Sequence, residues 1–226
     1  SRRAEAPRLM RVNLDALKQI TDKADLNSAG SFRLELPDPE GGFQSFEFAP
    51  SQVLSPNLQQ KFPNLRFFHG RSSRDAATTA QLEVTQTGLT AQVQSNKSRW
   101  VISAADADQR DVVSVYSADK ASYAPQRGQC FVEHTRNFLT KPYPGKSIKK
   151  SAKRQSRSLG AVDRTYRLAV AVTGEYGVYH GGTKESALVA VATTINRVNS
   201  VFQRELSVQF QLIDDNDSLI YVDPDT

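Results

Sequence analysis

The chain has 226 residues, 38% of them hydrophobic and 23% charged, which is enough apolar material for one large domain or two modest ones. Its longest purely apolar stretches, residues 168–172 and 187–192, fall far short of the roughly 18 residues that a membrane-spanning helix needs, so the sequence predicts a globular chain without a span. The net charge of +5 would suggest a nucleic-acid partner if it were spread over the fold, yet seven basic residues and no acidic ones lie between Lys141 and Arg157, and removing them leaves −2 for the rest. The chain begins Ser1-Arg2-Arg3 with no initiating Met and no apolar targeting segment, which leaves two readings: a targeting peptide already removed, or a start that is not the natural one.

In chain order, residues 14–23 form the first predicted helix, with Leu14, Leu17, Ile20 and Thr21 on one face. Residues 31–36 and 43–48 alternate apolar and polar side chains around a Gly/Pro-rich loop at 37–42, the pattern of a hairpin. A turn of helix is expected at 56–62. Residues 81–85 and 89–93 flank 86–88 as a second hairpin, and 100–102 faces 112–116 across an Asp-rich turn as a third. These strands are rich in Phe, Val and Leu on one face and in Gln, Thr and Ser on the other, so the sheet is expected to keep one wet side. No paired-histidine metal signature, phosphate loop or nucleophile elbow occurs there, and this half is expected to bind or cover something without doing chemistry.

Residues 141–163 combine the basic run with Pro142, Pro144, Gly145 and several serines, a composition that cannot bury enough apolar surface to fold by itself. Exposed basic chain is where trypsin-like and dibasic-specific proteases cut, which makes Lys149, Lys150, Lys153, Arg154 and Arg157 candidate processing positions. A plain solvated tether is the second reading. A nucleic-acid or anionic-membrane tail is the third and least supported, because aromatic residues are poorly interleaved and no recognition fold adjoins it.

The remaining residues follow a different pattern. Residues 166–172 form a near-continuous apolar run, as in a strand buried on both faces. Thr183 is a good N-cap, Glu185 suits the first turn, and Leu188, Val191, Ile195, Val198 and Phe202 recur at helical spacing. Residues 206–213 can then return as a strand parallel to the first, giving a right-handed βαβ unit that needs further strands to complete its sheet.

Taken in order, residues 164–176, 180–183, 193–199, 205–210 and 215–221 resemble the start of the catalytic domain of bacterial-type reprolysin-like zinc metalloproteases, metzincins related to the adamalysins. Residues 48–63, the strand at 65–68 and the hairpin at 82–93 are similar to the prodomain that precedes that catalytic domain. The resemblance implies an α+β chain: an antiparallel β-rich prodomain over 1–140, a basic linker or processing region over 141–163, and the first β-α-β elements of a metzincin-type α/β catalytic domain over 164–226. It implies the N-terminal portion of a secreted zymogen, a zinc-dependent metalloendopeptidase that hydrolyses peptide bonds. Its partners would be its own catalytic domain and, after activation, protein or peptide substrates, with no nucleic acid and no membrane.

Metzincins hold zinc with H-E-x-x-H-x-x-G-x-x-H, in which a helix presents two histidines and the Glu activates the zinc-bound water. That motif is absent from this sequence, whose histidines His69, His134 and His180 are 65 and 46 residues apart. The resemblance therefore places the zinc ligands beyond Thr226 and implies that these 226 residues alone have no peptidase activity. Arg167 stands where eukaryotic relatives carry a calcium-binding Glu, which leaves calcium open. Cys130, the one cysteine, lies 34 residues before Arg164 and has three readings: an inhibitory thiolate on the zinc, a buried core cysteine, or an intermolecular pair. The alternative to the whole scheme is a non-catalytic β-rich binding module with a basic tether.

Overall fold

A computed structural model describes residues 7–24, 30–85, 88–106, 109–118 and 163–224. Cys130, His134 and the candidate processing residues Lys149, Lys150, Lys153, Arg154 and Arg157 lie outside the described residues.

Up to Ser117 the described elements are β1 (Arg8–Arg11), α1 (Leu14–Lys23), β2 (Phe32–Pro37), β3 (Phe43–Pro50), α2 (Pro56–Lys61), β4 (Arg66–Ser72), β5 (Thr79–Thr85), β6 (Gly88–Gln94), β7 (Arg99–Ala104) and β8 (Val112–Ser117). The eight strands form one antiparallel sheet in the order β1-β8-β7-β6-β5-β4-β3-β2. The three hairpins pair as their alternation predicts, with Leu34 opposite Phe46, Leu82 opposite Ala91 and Ile102 opposite Val115. Period-two patterning puts Phe46, Phe48, Phe68, Leu82, Val93, Ile102 and Val115 on one face, where they form the first buried core. The sheet curls around that core until its ends meet. Arg8 on β1 donates to the carbonyl of Asp38 in the β2–β3 turn at 3.3 Å and lies over the Phe43 ring at 5.6 Å, while Trp100 Nε1 on β7 donates to Pro37 O at 3.1 Å.

The helix α1 starts where predicted because the Asn13 side chain accepts from the Ala16 amide at 3.0 Å, satisfying one of the donors a helix start leaves open. Leu17 and Thr21 are buried on the first core, but Ile20, expected on the same face, is 37% exposed because one side of the helix is narrower than the apolar spacing suggested.

From Asp163 onward come β9 (Arg164–Leu168), α3 (Gly174–Tyr179), α4 (Lys184–Leu206), β10 (Val208–Leu212) and a 3-10 turn, Asn216–Leu219. β9 and β10 are parallel, with Arg164 opposite Val208 and Leu168 opposite Leu212, as the βαβ reading requires. Thr183 caps α4 by accepting from the Ser186 amide at 3.1 Å, and the helix ends at Ser207 in the left-handed region, φ 54°. The short α3 was not anticipated. It fits because Gly174 and Gly177 lie against the backbone of Asp223 and Tyr221, where an added Cβ would come within 2.0 Å and 2.5 Å of their carbonyl oxygens.

One expectation is corrected. The run at 166–172 is not a strand buried on both faces: Arg164 to Arg167 are exposed and Tyr166 is 49% exposed. Among the described residues β9 is paired on one side only, by β10, and burial begins further on, where Val172 forms a parallel bridge with Ile220. Between these points Asn216, fully buried, acts as a substitute peptide unit: its Oδ1 accepts from the Val170 amide at 2.8 Å and its Nδ2 donates to Val170 O at 3.2 Å. Asn199 on α4 does the same for Phe210 on β10, at 2.7 Å and 2.8 Å.

The other edge of β10 is completed from the first half of the chain. Leu54 forms a parallel bridge with Leu212, the Leu212 amide donates to Val53 O at 2.7 Å, and the Ser55 amide donates to Leu212 O at 3.2 Å. Ser55 then caps α2, with Pro56 at its first position. A second core results, in which Val53, Leu54, Leu58, Leu65 and Phe67 bury against Val172, Leu188, Val191, Leu212 and Ile220. The architecture is α+β, mixed helix and strand around a curled antiparallel sheet.

Candidate functional site

The residues singled out by motif reasoning do not converge. His69 lies on β4, half-covered, while His180 ends α3, its ring 4.3 Å from that of Tyr176 and 4.9 Å from that of Tyr179, so it packs beside the start of α4. Burial holds both histidines below the ordinary range, with the charge of Arg71 adding to the effect at His69. Arg167 is exposed on β9 and is a cation where a calcium ligand would have to be an oxygen donor. Among the described residues no group of three or more His, Cys, Asp or Glu side chains is placed to hold a metal ion, so zinc does not fit them.

What the fold does bring together is a seam between the β-rich half and the C-terminal segment. At its outer end Lys61 on α2 reaches Asp215 at 2.9 Å and Asp217 at 3.1 Å, and these hydrogen bonds hold the ammonium above its ordinary range. Beside it Asn57 Nδ2 donates to Asp214 Oδ2 at 3.1 Å, and hydrogen bonds from Ser55 and Asn57 hold the Asp214 carboxyl low. Next comes the apolar layer of the second core. Beyond it, Ser51 Oγ lies 2.9 Å from Asn196 Oδ1 on α4.

At the inner end α4 rests on the face of the sheet that its Gln/Thr/Ser pattern marked as wet. Gln81 and Glu83 on β5 are only 2% and 3% exposed there, a correction to the wet-face expectation. Alternation places them correctly on the face opposite the first core; what it could not show is that a helix about 110 residues later lies over them. Glu83 Oε2 faces Arg197 Nη2 of α4 at 3.7 Å. Glu83 Oε1, Gln81 Oε1, Asn196 Nδ2 and Arg197 Nε are buried without a hydrogen-bond partner. Burial pushes the Glu83 carboxyl up, and the Arg197 charge, with the Thr193 and Asn196 side chains, opposes that shift without cancelling it. The only sequence sign of this layer is that α4 turns polar at Asn196, Arg197 and Asn199, on and beside a face that is apolar one turn earlier.

The seam opens at this inner end into a cleft of about 1210 Å³, with His69, Arg71 and Gln81 on the sheet side and Asn196, Gln203 and Arg204 on the α4 side. Polar and apolar surface share its lining about equally, and Asp163 and Arg164 at the start of the C-terminal segment contribute to it. No helix among the described residues is long and apolar enough to cross a membrane.

Comparison with known proteins separates the two sides of the seam. No curated protein matches the chain. The family model described as Metallo-peptidase family M12B Reprolysin-like matches residues 162–226, less than a third of the chain. The matched stretch begins two residues before β9 and takes in α3, α4 and β10. The segment that lies against the β-rich half is thus similar to a reprolysin-like metallopeptidase, a protease family that depends on zinc in general.

Proposed function

We propose that the chain is the N-terminal portion of a secreted, zinc-dependent metalloendopeptidase precursor, in which the β-rich half is the prodomain and residues 164–226 open the catalytic domain. The observation that carries this reading is the second core: a segment with reprolysin-like sequence completes its sheet edge and covers its helix with residues from the other half of the same chain. In this reading the prodomain supplies Val53 to Ser55 as a strand for β10 and Leu58, Leu65 and Phe67 as a bed for α4, and so holds the first catalytic elements folded. Cutting within 141–163, at Lys149, Lys150, Lys153, Arg154 or Arg157, would free the catalytic part, and Cys130 is a candidate inhibitory ligand upstream of those sites. The zinc would be held by residues other than those described, and the substrates after activation would be proteins or peptides.

The test is made on the complete gene product of the source organism, beginning with whether its reading frame past the Thr226 codon encodes H-E-x-x-H-x-x-G-x-x-H. The purified precursor is expected to show no chelator-sensitive peptide cleavage until trypsin cuts it between residues 141 and 163, and to show it afterwards. A frame without the motif, together with no peptidase activity in any processed form, would replace this reading with that of a β-rich binding module on a basic tether.

A further inference from the structure

The buried layer under α4 contains more than packing requires. A sheet face and a helix could meet through apolar side chains, as they do about two turns earlier on α4 at Phe67, Leu188 and Val191. At Glu83 and Arg197 they meet instead through a carboxylate that is almost wholly covered and a guanidinium that keeps about a third of its side chain exposed. The pair is long at 3.7 Å, and each partner leaves one polar atom unpaired. An ionised carboxylate in that position is under-compensated, since Arg197 at 3.7 Å and the Thr193 and Asn196 side chains together do not replace the hydration it has lost.

We infer that Glu83 and Arg197 form a pH-dependent latch between the β-rich half and the C-terminal segment, closing more firmly in acid than at neutral pH. The inference does not depend on whether the C-terminal segment belongs to a protease. When α4 lifts from the sheet, both side chains return to water. Docking therefore costs the ionised Glu83 its hydration but costs the protonated carboxyl far less. The docked carboxyl sits above its ordinary range, so docking takes up a proton as pH falls, and the seam weakens as pH rises through the docked value.

The groups facing Glu83 oppose the effect of its burial without cancelling it. From α4 the facing charge is Arg197, with Thr193 and Asn196 beside it. From β4 the same face carries His69 opposite Gln81 and Arg71 opposite Thr79. β6 presents Thr90 opposite Glu83 and Gln92 opposite Gln81, neither of them titratable, and β3 sets Glu47 opposite Arg71. His69, held low by burial, works in the opposite direction: it contributes stability above its ordinary range that is lost as pH falls and the imidazole must take up a proton. The two titrations must therefore be separated.

Hydrogen exchange on the full chain reads the seam directly, because the Leu212 and Ser55 amides are bonded across it. The measurement uses His69→Gln as the background and the β7–β8 ladder as the internal reference, with intrinsic exchange rates divided out. As pH falls from the docked value toward the ordinary carboxylate range the seam opening constant is expected to fall relative to that reference, approaching about tenfold per pH unit where one proton is taken up. Glu83→Gln should abolish the slope. Arg197→Gln should keep it and move its midpoint to higher pH, which a purely structural contact would not do, and this second variant serves if Glu83→Gln loses the fold of the reference ladder. A seam that follows the reference at every pH, a slope that survives Glu83→Gln, or a midpoint unmoved by Arg197→Gln would each overturn the latch.

Discussion

The two cores of this chain are built from opposite kinds of information. The first is drawn from one continuous stretch, in which neighbouring hairpins place Phe46, Phe48, Phe68, Leu82 and Ile102 on a single face, and every pairing in its sheet except that of β1 joins strands adjacent in sequence. The second draws five of its buried residues from positions 53–67 and the rest from 172–220, and neither set closes without the other. The difference teaches where independence lies: the β-rich half carries its own core, whereas the reprolysin-like segment borrows one. The largest effect should therefore come from dividing the chain. Residues 1–118 are expected to give a cooperative β-type thermal transition by circular dichroism, while residues 163–226 alone should give none. A folded, cooperative transition in the isolated C-terminal fragment would show that the second core is not shared in the way described.

Single side chains sharpen the same contrast. Leu188→Ala removes a fully buried side chain from the second core and is expected to cost about 2–5 kcal/mol. The loss should appear as early opening of the seam amides with the first sheet still protected. Phe48→Ala, costing about 3–5 kcal/mol, should lower both together, because the bed on which α4 rests is the outer face of that sheet. Below these comes Asn216→Ala, which leaves the amide and carbonyl of Val170 without their partner and is expected to cost about 1–3 kcal/mol, again confined to the C-terminal segment. Asn216→Asp keeps the acceptor but loses the donor, so it should fall between wild type and Ala in denaturant midpoint.

How much of this was legible in the sequence follows the same division. The hairpins, α1, α2, α4 and the parallel β9–β10 pair could be read because each depends on residues a few positions apart: alternation, the Thr183 cap, and the apolar spacing of 14–21 and 188–202. β1 was missed because four residues flanked by arginines carry too little alternation, and α3 because its cause is the close approach of Gly174 and Gly177 to a backbone nearly fifty residues later. The same limit hid the seam. Gln81 and Glu83 look like solvent-facing strand residues until α4 is laid over them, and Val53 to Ser55 look like loop until β10 needs a neighbour. Local patterns decide which face a side chain occupies, while only the tertiary fold decides what covers that face.

The smaller predictions test how finely the seam is held. Thr183→Ala removes the cap that starts α4 and should cost about 1 kcal/mol, read as a lower denaturant midpoint with an unchanged slope. Smallest of all is the outer ion cluster, although its distances are shorter than that of the Glu83–Arg197 pair. Lys61 Nζ reaches two carboxylates within 3.1 Å, but its side chain is 42% exposed and that of Asp215 is 78% exposed, so water and salt compete for every charge in it. Lys61→Ala is therefore expected to shift stability less than Thr183→Ala does at low salt and to be indistinguishable from wild type near 1 M salt, where charges are screened over roughly 3 Å. The raised ammonium gives the sign of the pH effect: its contribution is complete below the ordinary lysine range and is lost as pH rises through the higher folded value. A Lys61→Ala effect that exceeded that of Leu188→Ala, or that survived high salt, would mean that the two halves are aligned by charge at the rim and not by the apolar layer and the β10 edge behind it.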